Sequence, residues 1–247
     1  MQTLKVITWN CNMAFRKKAS HILVHQPDIL VVPECEHPDK LKFGESLPVP
    51  TDCFWFGSNP NKGLGIFSYS GLRMKLLDIH NPDYKMILPL AITGGSVDFT
   101  LFAIWANNPG DPRNQYVGQV WKAMHSYEPL LKSKKTMLVG DFNSNTIWDK
   151  PRRVANHTAV VDFLRKKKIY SVYHKFFKQK QGAEDQGTLF MYRHKEKPYH
   201  IDYCFASVDF VKKISSIEIG AHERWSAFSD HTPLIVTFNL GRKPAAS

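Results

Sequence analysis

This sequence predicts an α/β fold in which two β-sheets pack together with helices on the outside. Three observations carry that expectation. Short apolar, strand-like runs recur along all 247 residues, broken by Gly, Asn and Pro turns. Three segments with helical periodicity are interspersed among them. The two halves share a rhythm of strands, one or two helices and polar strand ends, which suits two packed sheets. A hydrophobic content of 43% can fill such a core, and the length suits one domain over residues 1–240 with a disordered tail at 241–247.

Taken in order, Leu4 to Thr8 reads as a strand that runs into Trp9-Asn10-Cys11-Asn12. Phe15, Ala19, Ile22 and Leu23 then recur at helical spacing, and Pro27-Asp28 stops that helix. Ile29-Leu30-Val31-Val32 is a continuous apolar run, the pattern of a strand buried on both faces, ending in Pro33-Glu34-Cys35-Glu36. Strands are expected at 54–56 and 65–69 around the turn Asn59-Pro60-Asn61-Lys62-Gly63, and at 74–79 and 86–92. Thr93-Gly94-Gly95-Ser96 makes a hairpin turn into a strand at 97–105. Asp111-Pro112 is a helix start, with Val117, Val120, Trp121 and Met124 as the apolar stripe and Pro129 as its end or kink. Thr136 to Gly140 is a strand. His157 to Leu164 is a helix that closes in Arg165-Lys166-Lys167-Lys168, cations at the negative end of its dipole. Further strands are expected at 171–177, 188–192, 200–206, 214–219 and 234–238.

The chain carries 33 basic against 22 acidic residues, a formal charge of +11. Such a field favours polyanions, whether nucleic acid, anionic headgroups or phosphorylated small molecules. Four cysteines show neither a CxxC motif nor zinc spacing, which fits a reducing, cytoplasmic setting. No charged leader precedes an apolar block, and no apolar stretch reaches the roughly 18 residues of a membrane span, so neither export nor a membrane is expected.

Polar residues recur where strands end: Asn10 and Asn12, Glu34, Asn107 and Asn108, Asp141 and Asn143, His200 and Asp202, and Asp230 with His231. Asp141 and Asn143 stand two apart after a strand, so an acid that orients water and an amide that donates to oxygen can face one way. Glu34 and Asp230 are hard oxygen ligands suited to Mg²⁺ or Mn²⁺, and the absence of a Cys/His cluster argues against zinc. His231 and Asp202 supply an imidazole and a carboxylate to orient it. Each residue also has an ordinary reading as a cap, a turn or an exposed side chain. In this order and on strand ends, chance is a poor joint explanation.

Trp9-Asn10, Pro33-Glu34, Gly140-Asp141-Phe142-Asn143, His200-Ile201-Asp202-Tyr203 and Ser229-Asp230-His231 together resemble the ordered motifs of the endonuclease/exonuclease/phosphatase superfamily. The resemblance implies a four-layer αββα sandwich of mainly antiparallel or mixed sheets that cuts phosphoesters with Mg²⁺ or Mn²⁺. It implies Glu34 as the main metal ligand, assisted by Asn10 and Asp230. Asp141 would orient or deprotonate the attacking water, Asn143 would donate to the phosphate, and His231, held by Asp202, would stabilise phosphate charge. Asn108 would match the asparagine that closes the central strand motif. Two departures stand out. Trp105 sits where many relatives carry a tyrosine or histidine, and Asn12 where some carry an acid.

Basic residues interleaved with aromatics flank these motifs. Arg16, Lys17, Arg113, Arg152, Arg193 and His200 are the expected substrate-binding residues, and Tyr192, Tyr199 and Phe176-Phe177 could stack on bases. The expected activity is hydrolysis of DNA by a monomer. The alternatives are a phosphoesterase of a small or lipid substrate, of inositol phosphate, nucleotide or sphingomyelin type, and a non-catalytic nucleic-acid-binding module.

Overall fold

The computed structural model describes residues 2–107, 110, 115–133 and 135–241. Its first half contributes β1 (Gln2–Thr8), α1 (Ala19–Leu23), β2 (Ile29–Cys35), β3 (Asp52–Asn59), β4 (Lys62–Ser68), β5 (Arg73–Leu76), β6 (Ile87–Thr93) and β7 (Phe99–Trp105). The second half contributes α2 (Val117–Ser126), α3 (Glu128–Leu131), β8 (Thr136–Asp141), α4 (His157–Lys166), β9 (Ile169–Ser171) and α5 (Val172–Phe177). These are followed by β10 (Leu189–Phe190), β11 (Pro198–Tyr199), β12 (Asp202–Ser207), α6 (Val208–Val211), β13 (Ile214–Ile219), α7 (His222–Trp225) and β14 (Leu234–Gly241).

Two six-stranded sheets form, in the orders β13-β14-β1-β2-β4-β3 and β5-β6-β7-β8-β12-β9. Each is mixed, with one parallel pair at its centre, β1 with β2 and β7 with β8. The shared rhythm of the two halves is thus a shared topology. Alternation along the strands builds three apolar layers. Val6, Ile29 and Val31 point into the space between the sheets, where they meet Leu101, Ala103, Met137 and Val139. Ile7, Leu30 and Val32 point the other way and pack under Phe15, Ala19, Ile22 and Trp225. Phe102, Ile104 and Leu138 pack under Val120, Met124, Val160 and Leu164 of α2 and α4. The result is the expected α/β/β/α sandwich, and the run at 29–32 is apolar throughout because both of its faces are covered.

Several element assignments change. The segment expected as a strand at 171–177 is the helix α5, preceded by the three-residue strand β9. Val172 and Tyr173 are buried there while Phe176 and Phe177 are exposed, so burial falls along the helix from its first turn to its last instead of alternating residue by residue. The strand expected at 188–192 shrinks to a two-residue ladder with β11, because the chain turns left-handed at Tyr192 and Arg193. α2 begins at Val117 and ends at Ser126, before Pro129, which lies in the first turn of α3. The helix start expected at Asp111-Pro112 lies outside the described residues, as do residues 242–247 of the expected tail. Gly241 itself pairs with Gln2. Among the described residues no helix is long and apolar enough to cross a membrane.

Gly140 sets how closely β8 approaches β7. Its φ is +143°, and a Cβ there would meet the Ile104 carbonyl oxygen at 1.8 Å. Backbone cannot yield as a flexible side chain can. Gly140→Ala should therefore cost about 3 kcal/mol or more, a fall in Tm on the order of 10 °C. A thermal melt of the variant that overlays the wild type would show that the strands are not held this tightly.

Candidate active site

Both parallel pairs end at the same edge of the sandwich, and the polar strand ends converge there. Beyond β1 the chain turns left-handed through Asn12, Met13 and Ala14, with φ of 50°, 61° and 50°. Three consecutive non-glycine residues in that region are costly. The turn is held by Lys18 Nζ, which donates to the Cys11 and Asn12 carbonyls at 2.7 and 3.1 Å. Asn10 Oδ1 accepts from the Asn12 N–H at 3.1 Å. The far end of the chain is tied to this turn. Ser229 Oγ donates to the Asn10 carbonyl at 2.8 Å, and Trp9 Nε1 donates to the His231 carbonyl at 3.0 Å. Asn12 Nδ2 reaches Asp230 Oδ1 at 3.2 Å.

Glu34 occupies a β-bulge. The register of β2 on β4 slips between Pro33 and Cys35, and Glu34 takes φ +61°. A bulge re-aims a side chain that an unbroken ladder would send to the opposite face. Here it presents the Glu34 carboxylate to Asn10 Nδ2 at 3.4 Å and Lys62 Nζ at 3.1 Å.

Asp141 ends β8, directly opposite Asp202 on β12 and Trp105 on β7. Both acids are completely buried. Asp141 Oδ1 accepts from the Asn143 backbone N–H at 2.8 Å, and its Oδ2 accepts from Asn10 Nδ2 and Asn143 Nδ2, both at 3.0 Å. Burial, together with the neighbouring Asp202 charge, pushes the Asp141 carboxyl up to about 7. His231 Nδ1 lies 2.8 Å from Asp202 Oδ2. Burial opposes the imidazolium, but the Asp202 carboxylate outweighs it and raises His231 to about 10.

The described residues fit a divalent cation in two respects. Asp141, Asp202 and His231 offer ligand atoms all within 4.8 Å of one another, and Asp202 Oδ1 is buried without a hydrogen-bond partner. Glu34 already holds a cation, the Lys62 ammonium, on Oε2, while its Oε1 accepts from Asn10 Nδ2.

The structure thus brings together Asn10, Glu34, Asp141, Asn143, Asp202, Asp230 and His231. Asn108 and Arg113 lie outside the described residues. Three of the expected residues have other partners in the structure. Both Asn143 amide hydrogens, expected to face phosphate, are directed to the Ala106 carbonyl at 2.8 Å and to Asp141 Oδ2. His200, expected to bind substrate, is buried, with Nδ1 on the Gln186 carbonyl at 3.0 Å and its ring against Tyr173 and Tyr203. Arg16 is paired with the buried carboxylate of Glu36 and is not a free substrate cation. Lys17, Arg152 and Arg193 are exposed. A pocket of about 380 Å³ opens beside Asn143, lined among others by Tyr116, Trp148, Lys150, Arg153 and Met191. Lys62 was not foreseen. Nothing in its spacing points to residue 34 until the pairing of Gly63 with Cys35 is known.

Two mixed sheets packed face to face, with a buried Asp–His–Asp group where their parallel pairs end, define an α/β sandwich with a candidate site at one edge. The chain belongs to the Endonuclease/Exonuclease/phosphatase family, whose pattern residues 7–231 match. The family's enzymes depend on a divalent metal. Solved structures with the same fold include an AP endonuclease from Leishmania major, at 13% identity and TM-score 0.70, covering 97% of this chain and 89% of that one. An AP endonuclease from Archaeoglobus fulgidus matches at 18% identity and TM-score 0.68, covering 96% and 100%. A 3′ phosphatase from Neisseria bound to a product DNA hairpin matches at 18% identity and TM-score 0.66, covering 96% and 99%. No curated protein sequence matches the chain significantly.

Two histidines outside the site give a stability prediction. Burial holds His157 and His200 down at about 4, below the ordinary value near 6.5. Their neutral forms are favoured on folding, so this contribution is complete above about pH 6.5 and is lost as pH falls through about 4. Each is worth up to roughly 3 kcal/mol at 1.36 kcal/mol per pH unit. Denaturant midpoints should fall steadily from pH 7 to 4.5, and a flat profile over that range would contradict their buried, neutral state.

Proposed function

We propose that the chain is a divalent-metal-dependent phosphodiesterase that hydrolyses DNA by in-line attack of a water oriented by Asp141. The observation that carries this reading is the buried Asp141–Asp202–His231 group, a base poised near neutrality beside a cation held by its own carboxylate. In this reading Asp141, fixed by Asn10 and both N–H groups of Asn143, accepts the proton of the attacking water. His231, with Nδ1 on Asp202, donates through Nε2 to a non-bridging phosphate oxygen as charge develops. Glu34, with Asn10 and Asp230, would hold Mg²⁺ or Mn²⁺, which supplies neutralisation of phosphate charge when bound.

Support for DNA comes from the +11 charge and from exposed Lys17, Arg152 and Arg193. Tyr192, 77% exposed on the β10–β11 loop, and Trp148 on the rim of the pocket offer stacking surfaces. Two of the structures that share the fold are named AP endonucleases, and a third is a 3′ phosphatase bound to a product DNA hairpin. The same reading has the protein acting as a cytoplasmic monomer, a setting in which its free cysteines Cys11, Cys35, Cys53 and Cys204 stay reduced.

The test is incubation with Mg²⁺ or Mn²⁺ against plasmid, linear and single-stranded DNA, RNA and a phosphoinositide panel, each with and without EDTA. Metal-dependent DNA cleavage abolished by EDTA is expected, and phosphate release from the lipids alone would reverse the substrate. Asp141→Ala and His231→Ala should each lower cleavage by about 10²-fold or more while DNA binding persists. Wild-type rates in both would remove these residues from the mechanism. DNA affinity should also fall steeply with salt, and a flat dependence would favour a small substrate.

A further inference from the structure

Lys62 opens β4 after the turn Asn59-Pro60-Asn61, on the sheet opposite Asp141. Among the described residues it is the one lysine or arginine ion-paired with a site carboxylate, at 3.1 Å from Glu34 Oε2. The same ammonium lies 5.4 Å from the centre of the Trp105 ring, and Trp105 is the strand neighbour of Asp141. The Lys62 nitrogen therefore sits over the seam between the sheets, between the Glu34 edge and the Asp141 edge.

Its root is fixed and its tip is accessible. Trp55 donates Nε1 to the Cys35 carbonyl at 3.1 Å, and its ring covers Gly63 so closely that a Cβ there would meet it at 2.3 Å. That pins the start of β4 against the bulge that carries Glu34. The Lys62 side chain is nonetheless 38% exposed, so an anion arriving from solvent can reach it. The other acid of this segment, Glu36, is buried and satisfied by Arg16, and does not compete for it.

We propose that Lys62 is an exchangeable counter-ion: it neutralises Glu34 before a divalent cation arrives, and then moves to the substrate phosphate. The inference rests on the reading of Glu34 as the metal-binding edge. An ammonium and a divalent cation on one carboxylate repel each other, so binding of the second releases the first. The Trp105 face keeps the freed ammonium over the seam, because a cation is attracted to the indole ring. Metal and phosphate binding then become coupled, each favouring the other by the same factor. Lys62 would supply, from the opposite sheet, the polar contact that Trp105 does not make.

The experiment is calorimetric titration of Mn²⁺ into the full chain as wild type, Lys62→Met and Lys62→Arg, without DNA. Lys62→Met should bind Mn²⁺ about three- to tenfold more tightly, because the competing cation is gone. Lys62→Arg should stay near wild type, and all three should melt alike. A second arm measures binding of a cleavage-resistant phosphorothioate DNA duplex with and without Mn²⁺. Mn²⁺ should tighten DNA binding in the wild type, and that gain should shrink in Lys62→Met. Unchanged or weaker Mn²⁺ affinity in Lys62→Met, or no Mn²⁺ binding by the wild type, overturns the proposal. Tighter Mn²⁺ binding with an unchanged DNA response overturns its phosphate half. If wild type cleaves no DNA while Lys62→Met still tightens Mn²⁺, the nuclease reading fails and the counter-ion exchange stands.

Discussion

Two carboxylates lie side by side, fully buried, on adjacent strands of one sheet. The register of β8 on β12 places Asp141 opposite Asp202 and leaves neither exposed. Unpaired buried charge is among the most expensive arrangements a fold can adopt, so the neighbours of this pair are constrained to answer it. His231 brings a cation, Asn10 and Asn143 bring N–H donors, and Asp141 is pushed towards its protonated form. The closure of the sandwich follows from the same demand. Residues 229–231 must come back to the end of β1 to deliver His231, and the Ser229 and Trp9 hydrogen bonds are what keep them there.

A second polar network braces the turn after Asp141 from behind. His157 Nδ1 meets Ser144 Oγ at 2.9 Å, and Asn145 Nδ2 reaches Glu184 at 3.2 Å and the His200 carbonyl at 2.9 Å. Glu184 is in turn held by His174 Nε2 at 2.8 Å. Three histidines are thus spent on anchoring the 178–187 loop and the start of α4 to the residues just after Asn143. Because His200 stands two residues before Asp202, the network also fixes the start of β12. Position in a motif made His200 look like a ligand; its burial makes it a brace.

What was legible in the sequence follows from the range of the physics involved. Strands such as 29–35 and 136–141 declare themselves because both faces of their middle stretches, 29–32 and 137–139, are buried and apolar. Polar residues at their ends then stand out as a set, and the ordered motifs name the fold. Helix α5 was hidden because a two-turn segment with Val172, Tyr173, Phe176 and Phe177 carries too little pattern to separate period 2 from period 3.6. The bulge at Glu34 and the ion pair with Lys62 were hidden for another reason. They depend on the register of β2 against β4, a non-local fact that no spacing within either strand encodes. Which hydrogens of Asn143 remain free is likewise decided by the distant Ala106 carbonyl.

Trp105 shows how such non-local facts bear on chemistry. Read along the chain, it is a tryptophan where relatives often place a phenol or an imidazole, and the edge looks one polar group short. In space, Trp105 is buried to 7% exposure in the layer between the sheets and turns its ring towards Lys62 of the opposite sheet. A large apolar side chain at that strand end does more than fill the core. It presents a π-face that favours a cation over any neutral group. The charge that a short strand-end side chain would bring from β7 can instead come from β4, and only a fold that packs the two sheets face to face makes that substitution available.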